Sequence, residues 1–271
     1  HDQQCERRSA RNDKPVESIQ MSDNQKSMLH PDFHYGEAER DQYEKSGFCI
    51  FEHFLSTEGL INCQQQVERA IVETRQGISP EAIVGSHQLG ERWLWELATE
   101  TRLLDFVTSQ VGPNVVLWAT QITCKPPHDG REIRWHQDAP YWNVSGSLSA
   151  GIWIPLDDLD SENGTMSVLA GWHNKGKLPA NTHDDQYFEL GLDFDALPND
   201  IKKAKVTYHL KAGQMAAHHT MVPHGSTRNQ SDEWRRAIIL RYMAADGEMG
   251  SKQYQDYRTG ELFPREFFLV R

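Results

Sequence analysis

Cysteine is scarce in this chain, with Cys5, Cys49, Cys63 and Cys124 the only ones among 271 residues. None stands in a C-x-x-C pair. Four scattered thiols build neither a disulfide framework nor a zinc ribbon, so they are expected to be free and buried, as in a reducing cytoplasm. Long apolar runs are lacking as well. Nothing approaches the roughly 18 apolar residues of a membrane span, and the opening His1-Asp2-Gln3-Gln4 has no apolar centre of a signal peptide. Positive charge is in deficit, with 28 Lys+Arg against 39 Asp+Glu and a net charge of -11. A chain of that sign without a basic stripe is not expected to bind a nucleic-acid backbone or an anionic membrane surface. Repeats and low-complexity tracts are absent, and the ending Phe268-Leu269-Val270-Arg271 is not a peroxisomal S-K-L address. These absences predict a cytoplasmic protein that handles a small molecule, and they leave its oligomeric state open.

What is present can fill one sizeable core: 38% of residues are hydrophobic and 10% aromatic, which requires no second domain. Residues 1–28 are polar and charged, too poor in large apolar groups to offset ordering entropy, and are expected to form a disordered tail. Residues 29–271 are expected to form a single domain. Residues 37–46 read as a helix leading into a strand at Phe48–Phe51. Ser56 reads as the N-cap of a helix reaching about Arg75, with Leu60, Ile61, Val67, Ile71 and Val72 as its apolar stripe. Leu103, Leu104, Phe106 and Val107 repeat at helical spacing over Thr101–Val111. From Asn114 onward the pattern turns to strands, at 115–122, 148–156, 205–210, 214–219 and 236–243. Helices first and many short strands afterwards predict a mainly β fold with flanking α. That order suits a double-stranded β-helix, a cupin-like jelly roll, buttressed by N-terminal helices. The polar, acidic stretch 176–199 is expected to be an insert or lid beside its mouth.

The chemistry concentrates in Trp135-His136-Gln137-Asp138 and in His224 of Val222-Pro223-His224-Gly225-Ser226. Alternate residues of a strand share a face, so His136 and Asp138 can bind one metal, with His224 completing the set from another strand. Two imidazoles and a carboxylate leave three octahedral positions open, the pattern of oxygen-activating non-haem Fe(II) enzymes. An isolated H-x-D triplet also occurs at plain core or surface positions. Eleven positions after His224, Arg235 opens an apolar strand. It reads either as a surface residue or as a bidentate partner for the far carboxylate of a metal-chelating dicarboxylate, and its spacing from His224 favours the second.

These segments are similar to a known family. Lys125-Pro126-Pro127, the W-H-Q-D segment, Ala150 to Leu156, Glu162-Asn163-Gly164, Ala170-Gly171-Trp172-His173, and His224-Gly225-Ser226 through Arg235 follow the order of the phytanoyl-CoA dioxygenase family of 2-oxoglutarate-dependent oxygenases. The resemblance covers about residues 40 to 245. It implies that His136, Asp138 and His224 are iron ligands and catalytic residues. It also implies that Arg235 pairs with the distal carboxylate of 2-oxoglutarate, and that Lys125, Trp153 and Ser226 line the co-substrate pocket. Fe(II) is the implied cofactor and 2-oxoglutarate and O2 the co-substrates, with ascorbate as an optional reductant. Asp138 stands where related halogenases carry a small residue, so the implied reaction is hydroxylation of an unactivated C–H, releasing succinate and CO2. One departure is Ala170-Gly171-Trp172-His173 in place of the usual P-G-S-H.

Substrate identity is less defined. Tyr141 and Trp142, directly after the metal motif, are candidate substrate contacts, or simple packing. His128, Arg131 and Arg134 could meet an anionic group or be solvated. His218 and His219, being adjacent on a strand, cannot both face inward, and His173 reads as a turn residue. The leading expectation is an aminoalkylphosphonate-like or other zwitterionic or anionic small molecule. The alternatives are an acyl-CoA or natural-product hydroxylase and, from another class, a non-catalytic metal-binding or sensing barrel.

Overall fold

The computed structural model describes residues 27–142, 144–145, 149–184, 189–250 and 253–271. Four helices precede the long strands: α1 (Glu37–Ser46), α2 (Thr57–Glu73), α3 (Arg92–Ala98) and α4 (Thr101–Val111). Ser56 caps α2 as its sequence position suggests, its Oγ accepting from the Gly59 amide at 3.0 Å. The expected apolar stripe of α2 needs correction. Its buried row is Gly59, Cys63, Val67 and Ala70, whereas Ile61 and Val72 face solvent at 47% and 85% exposure. Small residues win this face because the chain crosses it closely: a Cβ on Gly59 would sit 2.1 Å from the Met28 carbonyl oxygen. Met28 had been placed in the expected tail. Instead its carbonyl accepts from the Ser56 amide at 2.9 Å, and Leu29 beside it is buried. The rest of that tail, residues 1–26, lies outside the described residues.

Two antiparallel sheets follow. The larger has seven strands, in the order 48–51, 215–219, 149–155, 235–244, 115–125 and 268–269, with 83–84 also paired to 115–125. The smaller has four, in the order 205–207, 166–169, 224–226 and 133–136. Together they form the double-stranded β-helix.

Strand alternation decides what each face of the large sheet carries. Ile122, Cys124, Ile152, Ile154, Ala217, Ile238, Leu240 and Tyr242 face the helices and join one apolar core with Leu103, Phe106 and Val107 of α4 and Leu94 and Leu97 of α3. Their neighbours by one residue point the other way, between the sheets: Gln121, Thr123, Trp153, His218, Arg235, Ile239 and Arg241. The helices therefore act as a buttress that covers a mainly apolar sheet face and frees the opposite face for polar chemistry. Between the sheets, Phe48, Met166, Val168, Tyr208, Ala216 and Val222 pack into a second core. Burial pushes the Cys63 and Cys124 thiols up to about 12, so these free cysteines stay protonated and serve as packing.

The stretch expected as an insert or lid is partly regular. Ala180–Thr182 and Leu190–Leu192 form an antiparallel hairpin, anchored by Leu178 and Leu197 packing on Leu169 and Ile201. Among the described residues, no helix is long and apolar enough to cross a membrane.

Candidate active site

His136 ends the 133–136 strand and His224 begins the 224–226 strand, and the two are direct cross-strand partners. Paired residues emerge side by side on one face of a sheet, and the two rings stand 4.3 Å apart by centroid. Each ring is oriented by its own backbone. His136 Nδ1 pairs with the Arg134 carbonyl at 2.8 Å and His224 Nδ1 with the Val222 carbonyl at 3.0 Å. Such a bond places the proton on Nδ1 and leaves the Nε2 lone pair free, as a metal ligand requires. Burial, and then the neighbouring His136, holds the His224 pKa well below the usual imidazole range, so its ring is neutral.

Asp138 reaches the same place by a different route from the strand alternation expected. The strand stops at His136, and Asp138 opens a short helix, α5 (Asp138–Trp142). Gln137 makes the turn. Its Nε2 donates to the carbonyls of Gly176 and Met221 at 2.9 and 2.8 Å, and its Oε1 accepts from the Leu178 amide at 2.9 Å. The Asp138 carboxylate is thereby directed inward, with Oδ1 3.6 Å from His136 Nε2 and 4.0 Å from His224 Nε2. Burial raises its pKa, but Arg241, with help from His136, His218 and His224, outweighs burial and holds it well below the usual carboxylate range. The donor atoms of His136, Asp138 and His224 all lie within 4.8 Å of one another. Asp138 Oδ1 is buried with no hydrogen-bond partner among the described residues. An ionised oxygen left bare beside two imidazole lone pairs fits a divalent metal of the Fe(II) type.

A cavity opens between the sheets beside this triad, walled by Ile133, Trp153, Met166 and Ile239 and carrying Ser226 and Arg235. Arg235 is 2% exposed. Its Nε has no partner, NH1 makes a long contact to the Thr123 carbonyl at 3.5 Å, and the guanidinium lies 5.9 Å from the Trp153 ring centre. A buried guanidinium without a carboxylate is costly unless an anion joins it. Lys125 lies behind Ser226 and not in the cavity wall, a correction to the expected direct contact. Its Nζ donates to Ser226 Oγ at 2.8 Å and the Arg131 carbonyl at 2.6 Å, and to the Thr227 carbonyl. Burial and the Arg235 charge lower its pKa, while three acceptors favour the ammonium form. Its role is to fix Ser226. The turn at Glu162-Asn163-Gly164 abuts it: Gly164 has φ 76°, and a Cβ there would sit 2.8 Å from the Thr227 carbonyl oxygen.

A second cavity of about 420 Å³ lies outside the triad, between α5 and the 180–192 hairpin. His136 and Tyr141 form one wall, and Leu178, Pro179, Leu190 and Leu192 the other. Tyr141, one of the two candidate substrate contacts, faces this cavity. Trp142 does not: its ring packs against Trp118 at 5.6 Å, with the guanidiniums of Arg241 and Arg265 each 5.4 Å from its centre. His128 pairs with Asp232 at 2.6 Å in an exposed loop, the solvated alternative. Arg241, Gln121 and Thr123 also line the cavity without any motif marking them, and of the adjacent His218 and His219 it is His218 that faces it. One signal was available, since Arg241 stands an even number of strand positions from Arg235 and must share its face.

The phytanoyl-CoA dioxygenase (PhyH) family matches residues 43–237. Bovine (Bos taurus) peroxisomal phytanoyl-CoA dioxygenase is 25% identical over 233 residues, covering 77% of this chain and 68% of its own. The L-proline trans-4-hydroxylase of Streptomyces griseoviridis is 24% identical, covering 74% of this chain and 84% of its own. The crystal structure of EvdO2 from Micromonospora carbonacea var. aurantiaca complexed with 2-oxoglutarate superposes with a TM-score of 0.66 at 20% identity, covering 86% of this chain and 100% of that one. With the family matched over most of its length, this chain belongs to the phytanoyl-CoA dioxygenase family and is a 2-oxoglutarate-dependent non-haem iron dioxygenase.

Proposed function

We propose that His136 Nε2, Asp138 Oδ1 and His224 Nε2 hold Fe(II), and that Arg235 with Ser226 holds the distal carboxylate of 2-oxoglutarate in the cavity between the sheets. The observation that carries this reading is the coexistence of a bare, ionised Asp138 Oδ1 with a buried Arg235 that has no carboxylate partner among the described residues. Each is costly alone. A cation at one end and a dicarboxylate spanning to the other satisfies both.

When bound, iron and 2-oxoglutarate supply the oxidant: the keto acid loses CO2 to become succinate, which keeps one atom of O2, and the substrate C–H receives the other. The chain does the rest. Backbone carbonyls fix both imidazole tautomers, Arg241 keeps Asp138 anionic, Lys125 holds Ser226 in place, and Ile133, Trp153, Met166 and Ile239 keep water from the co-substrate.

The second cavity opens on the His136 side of the triad and serves as the substrate pocket. Its lining is dominated by Pro140, Leu178, Pro179, Leu190 and Leu192, with Lys177 its one cation among the described residues. That lining favours a molecule with an apolar body and one anionic end, within the anionic class expected from the sequence, over a compact zwitterion. The test is succinate release in the presence of Fe(II), 2-oxoglutarate and a metabolite library, with mass spectrometry for one added oxygen. Substrate-dependent succinate supports the reading. A protein that binds the metal yet makes no succinate with any acid, amine or thioester in the library supports a sensing barrel instead.

A further inference from the structure

Asp138 Oδ2, the carboxylate oxygen on the large-sheet side, has two neighbours there. Arg241 Nε donates to it at 3.3 Å, and His218 Nε2 lies 3.8 Å away. His218 is 2% exposed, lines the co-substrate cavity, and neither of its ring nitrogens has a hydrogen-bond partner among the described residues. A buried imidazole left in that state forfeits the hydrogen bonds it made to water. The backbone is shaped to seat this ring. His218 is the direct cross-strand partner of Gly151, and a Cβ at 151 would meet Nε2 at 2.6 Å.

We infer that His218 is a positioning residue for Asp138: with Arg241 it holds Oδ2 on the large-sheet side, so that Oδ1 alone is offered to the metal. The inference rests on the proposed iron site. A carboxylate gripped by a single donor can turn about its Cβ–Cγ bond and offer both oxygens, which would occupy one of the three positions that co-substrate and O2 need. A second donor on the same oxygen opposes that turn. From 3.8 Å, a shift of about 0.9 Å completes a hydrogen bond of ordinary length. Space-filling alone would need no ring nitrogen. Direct ligation would place His218 in the donor group, which among the described residues holds His136, Asp138 and His224 without it.

Co(II) titrated into the metal-free protein, read by its visible absorption, tests the assignment. His218→Phe should weaken Co(II) binding about tenfold to a hundredfold, the usual effect of losing a partner behind a metal ligand, with the band positions unchanged. His218→Gln keeps an N–H and should recover most of the affinity. Gly151→Ala displaces the ring without touching a ligand, should reproduce the loss, and should add nothing to His218→Phe in the double variant. Thermal unfolding of the metal-free variants checks that each is folded, and Gly151→Ala carries the test if His218→Phe is not. Wild-type affinity in His218→Phe, equal losses in the Phe and Gln variants, or shifted bands that mark His218 as a ligand would each overturn the inference. Failure of the wild-type protein to take up Co(II) would overturn the iron site itself, and this inference with it.

Discussion

Arg235 and Arg241 leave the same face of one strand, and of the two only Arg241 meets a carboxylate among the described residues, its Nε donating to Asp138 Oδ2 at 3.3 Å. One arginine has a carboxylate partner within the fold, and the other is the proposed anchor of the co-substrate. Their replacement should therefore move stability in opposite directions.

Arg235→Leu removes a buried charge that has no ion-pair partner among the described residues. The metal-free protein should gain about 1–4 kcal/mol, the range seen when buried charges give way to apolar side chains. Urea unfolding measures this, and a loss of stability would mean that Arg235 is paired within the fold.

Arg241→Leu should do the reverse, because it strands the Asp138 carboxylate, which is 1% exposed. A loss of about 3–5 kcal/mol is the usual cost of breaking a buried pair from one side. Gln121, whose Oε1 accepts from Arg241 NH1 at 2.9 Å, loses its partner as well. Metal affinity should fall alongside, as isothermal titration with Co(II) would register.

Tyr141 and Trp142 are neighbours with different expected phenotypes. Tyr141→Ala alters the wall of the outer cavity and should raise the substrate KM with stability nearly unchanged. Trp142→Ala unpacks Trp118 and Arg241 and should cost about 3–5 kcal/mol, as large aromatic deletions do. Steady-state kinetics beside urea unfolding separates the two.

His87 predicts a pH dependence of folding. It is buried, with Nδ1 against Thr120 Oγ1 at 2.8 Å, and burial pushes its pKa down to about 4. The unfolded chain titrates near 6.5 and so binds more protons below that pH. Stability should thus be intact above about pH 6.5 and fall toward pH 4, by about 2–3 kcal/mol from this residue. His219, also lowered to about 4 by burial, acts in the same direction. Unfolding the metal-free protein in urea across that range should show a shallower slope in His87→Phe than in wild type.

The sequence carried the helices well because their signals are local. Ser56 as N-cap, the 37–46 helix and the 101–111 helix all depend on residues within a turn or two of one another. The burial row of α2 was not legible, because it is decided by the Met28 segment crossing Gly59, a contact distant in space that no helical period encodes. The same division runs through the site. His136, Asp138, His224 and Arg235 could be named from motif order; the donor atoms of the first three come together, and Arg235 lines the cavity beside them. Asp138, however, is aimed by a helix start and by the hydrogen bonds of Gln137, not by strand alternation. Lys125 could be named but not its position behind Ser226, which depends on carbonyls at 131 and 227. For Trp142 the sequence left substrate contact and packing open, because adjacency to a ligand says nothing of which way a ring turns once the strand has ended, and the ring packs on Trp118. Arg241 and His218 were visible as strand residues of the right parity, but no motif marks them.

The central claim is that iron at the triad and an anion-seeking Arg235 together hold 2-oxoglutarate. Anaerobic titration of 2-oxoglutarate into the Fe(II) protein, followed by the metal-to-ligand absorption band, tests it most directly. Wild type should develop a saturable band, and His136→Ala and His224→Ala should develop none. Arg235→Ala should keep its iron but bind 2-oxoglutarate more weakly by about 2–5 kcal/mol, with Arg235→Lys recovering part of the loss because a point charge cannot reproduce the planar fork. An unchanged dissociation constant in Arg235→Ala, or an undiminished band in His136→Ala, would contradict the account.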